Sequence, residues 1–222
     1  MAHMIPDKTS PQDTARAARQ LLRAHRYGAL CTLSKKFDGY PFGSITPYLV
    51  DHDGSLLILI STLAEHTKNI QNDPRVSLIT HNQEDPHIQT QGRITVVGTA
   101  SLVTERDQAG KRYLRYFPEA QTYFAMHDFS FYRIAPLALR YIGGFGDIHW
   151  IKAEKYQTPP STLAAEEDTL LRKVNAKRST AQGLVIGIDC DGFDQRLNDR
   201  TERRDFPTLA TDSAQALALL QK

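Results

Sequence analysis

At 222 residues, with 41% hydrophobic and 23% charged side chains, the chain has the size and composition of one globular domain carrying at most a small appendage. A net charge of +2 leaves no concentrated basic face, which argues against nucleic acid as a partner. No apolar run approaches the ~18 residues that a membrane span needs, and the two distant cysteines, Cys31 and Cys190, match no metal spacing and read as free thiols of a cytoplasmic protein.

Residues 1–9 read as a tag remnant and disordered lead. Ser10 and Pro11 then form an N-cap followed by proline at the first helical position. Ala15, Ala18, Leu21, Leu22 and His25 recur at helical spacing, which predicts an amphipathic helix to about Tyr27, ended by Gly28. Strands follow at "ALCTLSK" and "FGSITPYLV", where Pro47 demands an open edge or a bulge. "SLLILIS" is a nearly all-apolar strand buried on both faces. Thr62 and Glu65 have capping-box spacing and predict a helix from Leu63. "RVSLITH" and "GRITVVGTASLV" are further strands, and two short helices split at Pro118. "FSFYRI" and "LALRYIGGFGDIHWI" complete a set of six or seven strands with few helices between them, so an antiparallel barrel is the natural closure. The expected domains are a barrel over 10–153, a linker over 154–161 and a small α+β unit over 162–222, which packs on the barrel or on a second subunit.

The run "LISTLAEHTKNIQNDPRVSL", with "GTASLV" and "YIGGFGDIHWI", resembles the haem-utilisation (HugZ-type) family of the pyridoxamine 5′-phosphate oxidase-like split barrels. The tail "GIDCDGFDQR…RRDFP…ALALL" is similar to the small C-terminal domain that accompanies such barrels. The resemblance implies a mainly β fold with a six-stranded antiparallel split barrel, flanking helices and a small α+β appendage. It further implies a homodimer with ligand pockets at its interface. Members bind haem and are linked to its oxygen-dependent breakdown with electrons from an outside donor; related barrels bind FMN.

Two departures bear on the ligand. The flavin oxidases hold the FMN phosphate with an Arg-Lys pair where this chain has Glu65 and His66. A carboxylate and a neutral imidazole lose complementarity to a dianion, while the histidine suits iron. Related C-terminal domains also carry histidines that "EEDTLLRKVNAKRST" lacks, so an axial donor from that region is not expected. The candidate metal ligands are therefore His66, one turn into the helix, and His149, between "GGFGD" and Trp150. Ser61, His66, Thr67, Lys68 and Asn69 are candidate cofactor contacts around the helix start. Arg93, Arg140, Tyr141, Gly143 and Gly144 are candidates from the later strands, the glycines giving either a strand-end bulge or room for a planar ligand. The three readings are a haem protein with possible oxygenase activity, an FMN-dependent oxidoreductase, and a non-catalytic haem carrier.

Overall fold

Apolar runs and alternation decide most of the strands seen in the computed structural model, which describes residues 11–82, 85–87, 89–144, 146–198 and 200–221. The expected Ser10 cap and the lead over 1–9 lie outside the described residues. The barrel region comprises α1 (Pro11–Ala24), β1 (Tyr27–Leu33), β2 (Pro41–Pro47), β3 (Leu49–Val50), β4 (Leu56–Ser61), α2 (Glu65–Asn72), β5 (Arg75–His81), β6 (Arg93–Leu102), α3 (Arg106–Tyr116), α4 (Gln121–Phe124), β7 (Phe129–Gly144) and β8 (Asp147–Lys152). After α5 (Ala153–Tyr156) come α6 (Leu163–Asn175), β9 (Leu184–Asp189), β10 (Gly192–Leu197), β11 (Arg200–Asp205) and α7 (Ser213–Leu220).

The main sheet is antiparallel and has eight strands rather than six, in the order β2-β1-β5-β6-β7-β4-β3, with β8 paired to β7. The two strands beyond the expected six are the two-residue β3, too short to show alternation, and β8. The sequence reading put β8 in one strand with the second half of β7 and separated that half from "FSFYRI". The structure instead has β7 running unbroken through Pro136. The ladder shifts register where Gly98 meets Pro136, leaving Leu137 as an extra residue, so the proline makes a bulge and not a break. At this point β7 changes partner on its other side: residues 129–134 pair with β4, residues 138–144 with β8. The sheet opens there, which is the split of the half-barrel.

Two further boundaries differ. Helix α1 stops at Ala24, and Tyr27 and Gly28 belong to β1. Gly28 is required for approach, because a Cβ there would stand 2.6 Å from the Ile79 carbonyl oxygen. Proline 47 ends β2, which is an edge strand as its missing N–H demands.

Strand β4 separates two cores. Leu56, Ile58 and Ile60 join Leu22 of α1 and Leu30, Leu78, Ile94 and Ile134 inside the barrel. Leu57 and Leu59 face the other way, against Tyr113, Tyr116 and Phe117 and Ile186 of β9. This is why the strand is apolar from Leu56 to Ile60. The small sheet β11-β10-β9 and helices α6 and α7 enclose a third core around Leu163, Leu170, Ile188 and Phe206.

Ionic contacts join the C-terminal unit to the barrel. Arg16, Arg19 and Arg23 of α1, with Arg26 just beyond its end, reach Asp189, Asp191 and Asp194. Arg19 Nε lies 2.8 Å from Asp191 and Arg203 Nη1 lies 2.6 Å from Asp189. The stretch over 154–161 is anchored as well: Tyr156 is buried and donates to the Gly54 carbonyl.

Candidate functional site

The candidate residues fall into two groups. The first surrounds α2, whose start differs from the sequence reading. Thr62 and Glu65 form no capping box; the helix begins at Glu65 with Ala64 at the N-cap position and no side-chain cap. The polar groups of this segment find other partners. Thr62 N–H donates to the Asp128 carbonyl, Ser61 Oγ donates to Asp128 Oδ2 at 2.6 Å and accepts from Leu63 N–H, and Glu65 takes the Lys68 ammonium at 2.7 Å. Thr67 is buried and donates to the Ser61 carbonyl. Asn69, also buried, donates to Thr32 Oγ1 and accepts from Lys35 N–H, which docks the helix on β1. His66 is half-buried, its Nδ1 3.1 Å from Ser44 Oγ of β2. Burial lowers its pKa, so the ring is neutral at neutral pH.

The second group lies on the β7–β8 hairpin and the adjoining end of β6. His149 stands opposite Tyr141, and Trp150 opposite Arg140, whose guanidinium lies 5.3 Å from the indole centre. His149 Nε2 meets Asp147 Oδ1 at 2.7 Å. Arg93 pairs across the sheet with Ile142 and donates weakly to the Gln89 carbonyl. Gly143 leaves room for its neighbours: a Cβ there would stand 2.1 Å from Asp147 Oδ2 and 2.6 Å from the Tyr141 hydroxyl. Burial, and then the nearby Asp147, raises the Tyr141 pKa, so the phenol stays protonated.

These groups do not meet within one chain. Ser61 is paired with Phe129 at one end of β7 and His149 with Tyr141 near the other. At about 3.3 Å per residue the stretch between them is roughly 40 Å of strand. Ser44, Tyr141 and His149 share the barrel-facing side of the sheet, and their strand neighbours Ile45, Arg140 and Trp150 mark its outer side. Ile45, Ala29, Ile79, Thr95, Arg140 and Trp150 form one cross-strand row over β2, β1, β5, β6, β7 and β8. Ile45 is 67% and Trp150 64% exposed, so in a single chain this face is bare. The row continues the sheet face that α3 covers farther along, where Leu57 and Phe131 are buried.

Other histidines lie elsewhere. His25 packs beside α1, and burial, with His81 and Arg26 nearby, lowers its pKa. His52 is mostly buried with Nε2 3.3 Å from Glu167. A cleft of about 890 Å³ between α3, α6 and the sheet holds Arg112, Arg133, Asp51 and Glu167 but none of the candidates, and its guanidinium groups are matched by carboxylates. Asp189, Cys190 and Asp191 have donor atoms within 4.8 Å of one another. Arginines already supply their counter-charge, and burial pushes the Cys190 thiol up to about 12, so this group is an ionic core.

The sequence reading missed Ser44, Asp147 and Asp128. Asp147 was readable, since residues two apart on a strand share a face. Ser44 and Asp128 reach the site only through tertiary packing.

The family model described as CREG, beta-barrel matches residues 9–158. A plant relative, non-canonical heme oxygenase HOZ, chloroplastic, of Arabidopsis thaliana, is 42% identical over 128 residues, which are 57% of this chain but only 39% of that protein. Heme oxygenase HutZ of Vibrio cholerae is 27% identical over 127 residues, 52% of this chain and 69% of that one. The fold extends to the C-terminal unit in the Agrobacterium tumefaciens protein Atu2129, of unknown function, which superposes with a TM-score of 0.81 at 24% identity over 100% of both chains. Among the described residues no helix is long and apolar enough to cross a membrane.

Proposed function

Since the chain belongs to the CREG β-barrel family, and relatives matching its barrel are heme oxygenases by name, we propose that it binds haem between two copies of itself and supports haem degradation with electrons from an outside donor. The observation that carries haem over flavin is the state of α2's first turn. Lys68 is neutralised by Glu65, Ser61 is engaged by Asp128 and Thr67 by a carbonyl. Among the described residues of this turn no cationic fork remains for a phosphate dianion, whereas His66 is neutral and half-buried.

The residues present suit an iron porphyrin. A neutral imidazole suits the metal, Arg93 and Arg140 suit carboxylates at the ring edge, and Trp150 offers aromatic surface for a ring face. The bare row from Ile45 to Trp150 supports pairing of two sheets, which would bring the α2 end of one copy toward the hairpin end of the other. Haem supplies the redox-active iron at which oxygen is activated. The chain's part is to seat it, exclude bulk water with the paired sheet faces, and hold protons at the Tyr141 hydroxyl and the Asp147–His149 pair.

Titration with hemin and with FMN tests this reading. A saturable Soret shift is expected with hemin and none of the retained yellow colour of a flavoprotein. Ascorbate in air should then bleach the Soret band and release iron. A band that survives ascorbate makes the protein a carrier, and retained flavin without hemin binding overturns the haem reading.

A further inference from the structure

We infer that His66, and not His149, donates to the iron, through Nε2, and that Ser44 is the residue that fixes its ring for that role. The inference rests on the haem reading and deepens it. The two histidines differ in which nitrogen the fold has already used. In His66 it is Nδ1, 3.1 Å from Ser44 Oγ. Among the described residues no hydrogen bond engages its Nε2. In His149 it is Nε2, bound to Asp147 Oδ1 at 2.7 Å.

A neutral imidazole has one N–H and one lone pair, and whichever nitrogen donates a hydrogen bond leaves the other to bind metal. With Ser44 Oγ accepting from Nδ1–H, the lone pair of His66 lies on Nε2, the nitrogen farther from the backbone. A porphyrin plane approaches there without meeting the residue's own main chain. With Asp147 accepting from Nε2–H, the lone pair of His149 lies on Nδ1, beside Cβ and close to strand β8. A flat macrocycle directed at that atom runs into the strand that carries it.

Placement agrees. His66 stands in the first turn of α2, which Asn69 pins to β1 through Thr32 and to the turn after it through Lys35, and Ser44 lies on β2 alongside. The ring is therefore gripped from the sheet while its helix is held independently. His149 is 43% exposed on a hairpin. Metal-bound histidines characteristically donate their second N–H to a fixed oxygen, and losing that oxygen weakens the metal by about 10- to 100-fold. Ser44 is thus a positioning residue acting through His66.

The test is hemin titration of the full chain and of His66→Ala, His149→Ala, Ser44→Ala and Ser44→Thr, with resonance Raman of the ferrous form and ¹⁵N NMR of imidazole tautomers before hemin is added. The His66 ring should show the Nδ1–H tautomer in the apoprotein. His66→Ala should lose the iron–histidine stretch and regain a five-coordinate histidine-like signal with added imidazole, while His149→Ala keeps the stretch. Ser44→Ala should weaken hemin about tenfold and lower the stretching frequency, and Ser44→Thr should restore both. A stretch that persists in His66→Ala and vanishes in His149→Ala reverses the assignment while leaving the haem reading intact. An Nε2–H tautomer at His66 overturns the role of Ser44. A wild-type protein with no saturable Soret shift overturns the haem reading and this inference with it.

Discussion

Arg112 Nε lies 3.1 Å from Glu167 Oε2, with both side chains almost wholly withdrawn from water. The arginine comes from α3 and also donates to the Val50 carbonyl at 2.8 Å; the glutamate comes from α6 and accepts the Ile188 N–H at 3.0 Å. This pair and Arg115 fasten barrel, helix and C-terminal sheet at one point. Glu167→Ala would leave the buried Arg112 guanidinium without its close counter-charge, Asp51 standing 3.9 Å away, and removing one partner of such a pair costs about 3–5 kcal/mol. Urea unfolding of the variant should show that loss; a change below about 1 kcal/mol would mean that the junction is held by its apolar contacts alone. The same carboxylate sets the acid limit of the fold. Burial opposes its ionisation, but Arg112, His52 and Arg115 outweigh burial and hold its pKa well below the usual range. Asp189 is held low in the same way, burial being outweighed by Arg203 and Arg23. A carboxylate with a depressed folded pKa contributes stability that is complete above its unfolded pKa of about 4 and is lost as pH falls through that value toward the folded one. Unfolding midpoints should therefore be level near neutrality and drop steeply below about pH 4.5.

Much of this architecture was legible in the chain because it rests on local pattern. The apolar run of β4 from Leu56 to Ile60 announced a strand with a core on each side, and it has one. What failed was decided by partners remote in sequence. The Thr62–Glu65 spacing is a sound capping signal, yet Asp128 takes the polar groups before the helix from 67 residues away, and Lys68 takes Glu65. Pro136 reads as a strand boundary, but Gly98 opposite it lets the ladder absorb one extra residue. Arg16, Arg19 and Arg23 recur every three or four positions on α1, and the carboxylates they meet, Asp189 and Asp191, come from the far C-terminal unit. The Ser44–His66 contact, between residues 22 apart, has no sequence signature at all.

The glycines at the β6–β7 bulge and the β7–β8 hairpin should respond differently to the same substitution. A Cβ at Gly98 would stand 2.3 Å from the Ala135 carbonyl oxygen, a backbone atom fixed in the ladder. Gly98→Ala should cost about 1–3 kcal/mol, as overpacking does. A Cβ at Gly143 meets only the ends of Asp147 and Tyr141, which rotate away cheaply. Gly143→Ala should change stability by less than about 1 kcal/mol while breaking the Asp147–His149 hydrogen bond, visible in the His149 ring NMR signals. Equal losses of melting temperature in the two variants would refute the distinction.

Ile45 tests whether the bare sheet face pairs with a second copy. In one chain its side chain is 67% exposed at the edge strand β2, so Ile45→Glu removes little buried area and should leave the fold within about 0.5 kcal/mol. If two sheets meet along the row from Ile45 to Trp150, the same change places a carboxylate in an apolar interface, where desolvating an unpaired charge is strongly unfavourable. Sedimentation velocity should then show wild type at twice the chain mass of 25.0 kDa and Ile45→Glu at that mass itself, with hemin affinity falling in parallel because the site is divided between copies. A variant that stays paired would place the interface elsewhere, and a wild type that sediments as one chain would refute pairing and leave the α2 and hairpin residues to act as separate sites.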